Sequence, residues 1–483
     1  MLLLLLSLLF VLAMPTRNEK PNRSTIRAVR CHRFACVEGK SSSTRTNPQH
    51  DEHGRRDKRA TRAARFQRRL PRALRLKDCL SLDRIPFPSE QLIATNTSTT
   101  ETRVLIHTEY AGIQYPDALQ AQGLYQVKPR LPYVPGMDVV GIVTKVIPPR
   151  TRTTSVEKSE HRPKSPTIQP GDRVLAVMMD NGGTGGLSEV VVAPLKHVHK
   201  LPAVAPQGCP VRSCAVFANV GRNYYAAYHA LVEVGFLLPK DPKHNSNKIV
   251  LVTGASGGVG MATIELAKAM GCGLVIAGVG SPSKRDGPTS VGADAVFCYG
   301  RSKAERKQFR KQVVGMTMAH AVNGTGTSAS KSTSISKSIG ASSTGGVDLV
   351  VDVVMGDLFE EALVGCLKPL GTIAMVGFAA GQKPIRPGIL LVKEARVAGS
   401  IWGQVALEAS EDSNDNKYRR MVENILGYFA SGAIRGRVDR IVPLSNFIEA
   451  FEVFEENRGR GNTVVSFVDE ESGKGIGTTR SRL

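Results

Sequence analysis

Ile249-Val250-Leu251-Val252-Thr253-Gly254-Ala255-Ser256-Gly257-Gly258-Val259-Gly260 is a β-branched apolar run that empties into a glycine-dense turn. A helical pattern follows at once, with Met261, Ile264, Leu266, Ala267 and Met270 spaced for one buried face. A strand that passes through glycines into a helix N-terminus is a docking place for a dinucleotide pyrophosphate. The helix end carries unsatisfied N–H groups and partial positive charge, and glycine lets phosphate oxygens approach the backbone. The order GxxGGxG is a variant of the plain dinucleotide fingerprint. It makes Gly254, Ser256, Gly257, Gly258, Val259 and Gly260 the candidate phosphate-binding residues. The competing reading is a glycine-rich strand–helix turn with no ligand.

The next strand, Leu274-Val275-Ile276-Ala277, leads into Gly278-Val279-Gly280-Ser281. An NAD enzyme places Asp or Glu near this point to hold the ribose hydroxyls. No acid stands here, and the next charges are Lys284 and Arg285. A carboxylate would repel a 2′-phosphate, whereas Ser281, Lys284 and Arg285 would accept one. The cofactor expected is therefore NADP(H). The bland alternative is a set of solvated loop charges.

The 483 residues allow two domains and a sizeable core. The net charge of +22 is unevenly placed. Residues 1–77 hold 19 Lys and Arg against 5 Asp and Glu, so most of the excess lies in an N-terminal arm. Such an arm can contact nucleic acid or anionic membrane, or serve as a targeting segment. No aromatics are interleaved with its basic residues in a stacking pattern, which argues against a dedicated single-strand nucleic-acid binder. Leu2–Met14 is apolar apart from Ser7, too short for a comfortable membrane span and closer to the apolar region of a secretory signal. An apolar signal followed by a basic stretch resembles the two-part leaders of plastid proteins in complex algae, so organelle targeting is one expectation. An inaccurate start site or a disordered arm on a cytoplasmic protein is the other. The eight cysteines show no CxxC and suggest reduced, structural thiols.

Residues 1–73 are read as this targeting or disordered arm. Leu74–Arg84, Arg103–His107, Val139–Ile147, Asp172–Val177 and Leu187–Val192 read as short strands with Gly/Pro turns, a β-rich unit over 74–215 of barrel type. Strands alternate with helices beyond Ala226, including Ala295–Tyr299, Val347–Asp352 and Gly371–Gly377. That alternation predicts an α/β domain with a doubly wound parallel sheet over 216–378. Residues 379–468 are expected to complete its edge and return to the first unit, leaving 469–483 as a tail. Pro148–Gln169 and Asn323–Gly346 are polar and poor in apolar residues, so both read as surface inserts.

Many ordered motifs then match one family. VLIHTEYAGIQYPDALQAQGLYQ, LPYVPGMDVVGIV, PGDRVLAV, GGLSEVVV, AAYHAL, VLVTGASGGVG, VGADAVFCY, VDLVVDVVMGDLFEEAL, GTIAMVGFAAG and IWG follow one another in the order of the zinc-independent quinone oxidoreductases. The chain resembles that branch of the medium-chain dehydrogenase/reductase superfamily over about residues 74–468, apart from the inserts. The resemblance implies a GroES-like β domain built from both ends of the chain, a Rossmann domain between, and a cleft where they meet. It also implies a homodimer through an edge strand at Arg396–Trp402.

Zinc alcohol dehydrogenases of the superfamily carry a Gly-His-Glu segment where this chain has Gly136-Met137-Asp138, and they have a four-cysteine lobe that is absent here. Catalytic zinc requires three protein ligands, and the sequence does not offer them. What remains is hydride transfer to an acceptor that is already electrophilic, a quinone or an α,β-unsaturated carbonyl. The family resemblance points to Gln114, Tyr115 and Tyr125 as hydrogen-bond donors to the developing oxyanion. Relatives commonly have Asn at Gln114. Related enoyl-thioester reductases assign a proton donor to a Tyr placed like Tyr125, so a 2-enoyl-thioester reductase is the second reading. The third is a non-catalytic NADPH-binding protein with a polyanion-binding arm. Tyr299 resembles the residue beside the adenosine, and Gly377 with Phe378 the loop that holds the nicotinamide carboxamide. Ala226 stands where relatives often carry Thr, and Asn462 where they carry Lys. Asp348, Asp352, Asp357, His107, His229 and His320 receive no role.

Overall fold

The computed structural model describes residues 25–32, 75–88, 101–149, 168–179, 185–202, 211–324, 345–385, 387–409, 416–455 and 461–468. Both proposed inserts fall almost wholly outside the described residues, and residues 1–24, 33–74 and the tail wholly so.

The first sheet-forming region contains β1 (Thr25–Cys31), β2 (Leu80–Pro86), β3 (Arg103–Ile113), β4 (Asp138–Ile147), β5 (Arg173–Val177), β6 (Val190–Pro194) and β7 (Val198–Lys200). The second contains β8 (Ile249–Val252), β9 (Leu274–Val279), β10 (Ala295–Cys298), β11 (Val347–Asp352), β12 (Leu367–Met375) and β13 (Arg396–Gly399). The chain then returns with β14 (Arg440–Pro443) and β15 (Thr463–Ser466).

The second region forms one six-stranded sheet in the order β10-β9-β8-β11-β12-β13, every pair parallel. Counting outward from β8, this is the doubly wound order in which two βαβ halves diverge at a switch point between β8 and β11. Alternation puts the sheet between two cores. Val250, Val252, Val275 and Ala277 pack on one face, and Leu251, Leu274 and Ile276 on the other. Helix α3 (Gly258–Ala269) covers the first face and α4 (Lys303–Gly324), through Phe309 and Val313, the second. Strands buried on both faces read as continuous apolar runs, which is why β8 and β9 are legible in the sequence.

The other large sheet runs β14-β15-β3-β4-β5-β7, with β6 pairing the first half of β3. Its last-made strands, β14 and β15, come from the chain's far end. β15 lies antiparallel to the second half of β3, opposing Thr463 to Ile113 and Ser466 to Tyr110. This GroES-like region carries its own cores, one around Ile106, Val139 and Val174 and one around Ile113, Leu187 and Phe451.

Residues 25–31, expected within a disordered or targeting arm, instead form a packed strand. β1 pairs antiparallel with β2 from Thr25↔Pro86 to Cys31↔Leu80. It bridges onto the main body at Ser188 and Tyr133. Ala28, Val29 and Cys31 are fully buried, so the strand is covered on both faces while Arg27 and Arg30 stay partly exposed. Arginine density masked this short strand. The strand expected over Leu74–Arg84 begins later, since Leu76–Asp78 is a helical turn.

A helical run from Val211 to Val234 joins the two regions. It includes a π-turn at Val220–Tyr224, followed by α2 (Tyr225–His229). Helices α1 (Tyr115–Ala121), α5 (Lys417–Ala430) and α6 (Ile448–Glu455) complete the elements used below. Among the described residues no helix is long and apolar enough to cross a membrane. The described cysteines, Cys31, Cys79, Cys214, Cys272, Cys298 and Cys366, are all thiols outside any disulfide.

Candidate active site

β8 ends at Val252, and Thr253–Gly257 turn the chain into α3. Gly254 sits at φ +59°, a left-handed conformation that glycine adopts without a Cβ penalty, and accepts the Gly257 N–H at 3.0 Å. At Gly258 a Cβ would stand 2.3 Å from Asn223 Nδ2 and 2.4 Å from Asn462 Oδ1. At Gly260 one would stand 2.6 Å from the Gly254 carbonyl oxygen. The first intrahelical bond runs from Met261 N–H to the Gly257 carbonyl. Gly258, Val259 and Gly260 thus supply the unsatisfied N–H groups of a twelve-residue helix. Ser256, close to fully buried, precedes them in the turn. The glycine cradle is shaped for a pyrophosphate, so the residues present fit a dinucleotide.

Thr253 and Asp352 lock this turn to the neighbouring strand end. The Thr253 hydroxyl donates to Asp352 Oδ1, which also takes the Val354 N–H at 2.9 Å. Burial raises the Asp352 pKa against these bonds. Asp348 receives the Ile249 N–H at 2.9 Å and Asp357 pairs with Lys383 at 2.8 Å. All three acids have structural work.

Past β9, Ser281 caps a short helical turn that carries Lys284, and Arg285 follows it. Ser281 and Ser283 hydroxyls lie 3.1 Å apart on the surface. Tyr299, following β10, packs its ring against Gly278 and Gly280 and meets Phe309 edge-on at 5.9 Å between centroids. Burial pushes its phenol well up, so it stays neutral. Gly377 and Phe378 follow β12, where the Gly377 N–H reaches the Asp352 carbonyl at 3.3 Å and Phe378 is half exposed. All these expected cofactor residues collect at the carboxyl edge of the parallel sheet, beside its switch point.

Gln114 precedes α1. Its main-chain N–H donates to Asp117 Oδ2 at 2.8 Å, and its side-chain Nε2 donates to Asp138 Oδ2 at 2.8 Å. Asp138, at the start of β4, also receives the Arg222 main-chain N–H at 3.1 Å. Arg222 turns its guanidinium to Asp117 Oδ1 at 2.6 Å. Asp117 and Asp138 are each only 1% exposed. Burial drives the Asp138 pKa up to about 7, against the pull of Arg222. Tyr125 belongs to the same neighbourhood, since its phenol interacts electrostatically with the Arg222 guanidinium. Tyr115 faces outward with its ring 6.3 Å from Phe454, and burial raises its phenol.

Gln114, Tyr125, Asp117, Asp138 and Arg222 therefore form one group. The sequence points to Gln114, Tyr115 and Tyr125. It offers Asp138 only as part of a missing zinc segment and leaves Arg222 unmarked. The signal for Arg222 is faint, a lone basic residue inside the apolar helical run before AAYHAL. Among the described residues no three of His, Cys, Asp and Glu come together as a metal site.

The π-turn joins the two halves. Arg222 reaches the Asp117–Asp138 side, and Asn223 donates its Nδ2 to Asn462 Oδ1 at 2.6 Å beside Gly258. Asn462 in turn donates to the Arg437 carbonyl at 2.8 Å. The position where relatives carry lysine is thus built into the return connection. Glu265 on α3 accepts from the Tyr224 hydroxyl and from the Arg435 and Gly436 N–H groups, tying the nucleotide helix to the π-turn and to the same connection.

Two family models match the chain: an alcohol dehydrogenase GroES-like domain over residues 100–203, and a zinc-binding dehydrogenase domain over 258–424. Quinone oxidoreductase-like protein 2 homolog of Nematostella vectensis is 28% identical over 390 residues, covering 80% of this chain and 87% of that protein. Quinone oxidoreductase-like protein 2 of Bos taurus is 27% identical over 391 residues, covering 80% and 91%. Among solved structures, the quinone oxidoreductase of Thermus thermophilus, determined alone and with NADPH, superposes with a TM-score of 0.53 at 23% identity, covering 81% of this chain and 98% of that one.

Proposed function

The chain belongs to the quinone oxidoreductase-like family of the medium-chain dehydrogenase/reductase superfamily, and on that footing we propose that it is an NADPH-dependent reductase of quinones and α,β-unsaturated carbonyls that works without a metal. The observation that carries the reading is the turn after β9, free of acids as far as Lys284 and Arg285, beside a glycine cradle. Gly254–Gly260 hold the pyrophosphate, and Ser281, Lys284 and Arg285 take the 2′-phosphate. NADPH, when bound, supplies the hydride. The chain's own residues orient the acceptor and hydrogen-bond the oxygen on which charge develops, the roles given to Gln114, Tyr115 and Tyr125. Met137 stands where zinc enzymes of the superfamily carry a metal-ligating imidazole, and a thioether is not among the usual zinc ligands, which supports the metal-free reading.

A second reading, reduction of 2-enoyl thioesters, draws on Tyr125 beside Arg222, a place from which a phenol could return a proton to carbon. One experiment separates the readings. The full chain is assayed for NADPH and NADH consumption against quinones, enones and enoyl thioesters. A kcat/KM for quinone or enone with NADPH about tenfold or more above NADH supports the proposal. Preference for enoyl thioesters supports the second reading, and tight NADPH binding without turnover overturns both. The family's dimer through an edge strand fits β13, which ends its sheet and is followed by the exposed Ile401. Analytical ultracentrifugation tests that assembly.

A further inference from the structure

The cleft side of Gln114 is the end expected to work on the acceptor, yet one of its two amide hydrogens is spent inward. The bond to Asp138 Oδ2 is 2.8 Å long, and both residues are buried. A carboxamide has a donor end and an acceptor end, and an ionised carboxylate accepts only. With Asp138 charged, the amide nitrogen of Gln114 is held in place through one N–H, and its second N–H is the donor left for the acceptor oxygen. Arg222 strengthens the arrangement by donating its main-chain N–H to the same Oδ2 at 3.1 Å.

The other Asp138 oxygen is different. Oδ1 is buried and has no hydrogen-bond partner. It lies against Gly221, where a Cβ would stand 2.5 Å away. A buried carboxylate oxygen without a donor is an unstable place for charge and a ready place for a proton. The proton costs no existing bond there, but it weakens the attraction that keeps Gln114 and Arg222 drawn to Oδ2. The groups that face Asp138 are Asp117 from α1, Arg222 from the π-turn, Tyr225 from α2 and Tyr418 from α5. Burial raises both phenols, leaving Asp117 and Arg222 as the charges that matter. Burial also brings Asp138 itself to about 7, so the proton is gained and lost near neutrality.

We propose that Asp138 is a positioning residue for Gln114: its ionised carboxylate fixes the orientation of the Gln114 carboxamide toward the acceptor, and a proton on the unpartnered Oδ1 releases it. The catalytic part of this proposal rests on the reductase reading above; the proton-linked orientation of Gln114 does not.

Two measurements on the full chain test it together. With glutamine labelled in its side-chain nitrogen, the Gln114 amide resonance is identified by its disappearance in Gln114→Leu. It is expected to titrate near pH 7 in the wild type and to be invariant in Asp138→Asn. In parallel, kcat for NADPH-dependent reduction of p-benzoquinone is followed across the same range. The wild type is expected to gain rate as pH rises through the same midpoint. Asp138→Asn is expected to be flat and about tenfold or more slower, with KM for the quinone little changed. Where Asp138→Asn does not fold, Arg222→Lys decides. It keeps the charge but loses the guanidinium hydrogen bond to Asp117 Oδ1, so a midpoint moved to higher pH supports the proposal. An unmoved midpoint overturns it. An amide resonance that ignores pH in the wild type also overturns it, as does an unchanged acid limb in Asp138→Asn. Titration of the amide with no turnover on any acceptor upholds the Asp138–Gln114 link and removes the reductase reading instead.

Discussion

Arg222 and Asn223 are neighbours in the chain that bind different partners. Arg222 holds Asp117 and the Asp138 carboxylate, and Asn223 holds Asn462 against Gly258 at the start of the nucleotide helix. In a regular α-helix consecutive side chains diverge by about 100°. On the π-turn the two side chains likewise part, Arg222 to Asp117 and Asn223 to Asn462 beside the start of α3. Any shift of this turn moves both contacts together.

The tight fit at Gly258 predicts a cofactor-selective defect. In Gly258→Ala the new methyl meets Asn223 and Asn462 well inside contact distance, so the two amides must part and lose their hydrogen bond or α3 must shift. NADPH affinity is expected to fall about tenfold or more, equivalent to at least about 1.4 kcal/mol. Fluorescence titration of the nicotinamide reads it, and an unchanged affinity would mean that phosphate does not dock on this helix end.

On the proposed NADPH reading, the charges after β9 set cofactor choice. Lys284→Ala with Arg285→Ala is expected to raise KM for NADPH by about tenfold while leaving NADH turnover nearly constant. Equal losses with both cofactors would show that these side chains do not meet the 2′-phosphate.

Asp138 also gives stability a pH slope. Its pKa is about 7 in the folded chain against an ordinary 3.8. Between these values the folded state binds more protons than the unfolded state, so this group's contribution to stability falls as pH rises from about 4 to about 7. Asp138→Asn carries no such slope. Relative to the wild type its melting temperature is expected to improve from about pH 5 to about pH 8, which calorimetry at the two values checks. A constant difference would place the Asp138 pKa near its ordinary value.

The buried pair of Arg222 with Asp117 predicts a large loss in Arg222→Met. Removal of one partner leaves an uncompensated carboxylate, a cost of about 3–5 kcal/mol. Denaturant unfolding measures it, and Asp117→Asn in the same background is expected to recover part of the loss.

β1 makes truncation position-sensitive. A chain starting at residue 25 keeps the strand and is expected to melt like the full chain. One starting at residue 75 strips β2 of its partner and uncovers Leu80 and Tyr133. A fall in melting temperature of several degrees is expected for the shorter form alone.

Much of the fold is legible because β8, β9, β11 and β12 are apolar runs bounded by glycines, and the parallel order follows from strands alternating with helices. The glycine turn is readable for the same reason, since it follows a strand end, whereas Tyr299 and the Gly377–Phe378 loop are marked only by the family resemblance. Two things escape. β1 is a seven-residue strand whose arginines make it look like arm, and its partner lies across a long intervening stretch. Arg222 gains meaning only from Asp117 and Asp138, which are distant in sequence and joined by a π-turn that no periodicity announces.

β15 has a consequence for how the polypeptide is made. It occupies the middle of the GroES-like sheet, with Val464 and Val465 fully buried between β14 and β3. β3 leaves the ribosome early with half of one edge covered by β6, and the other half stays open until the final strand arrives. The Rossmann sheet, whose pairings lie within one continuous stretch, is free to fold in that interval. A nascent chain stalled in between carries a finished nucleotide domain and a bare strand edge, a template for chaperones and for aggregation alike.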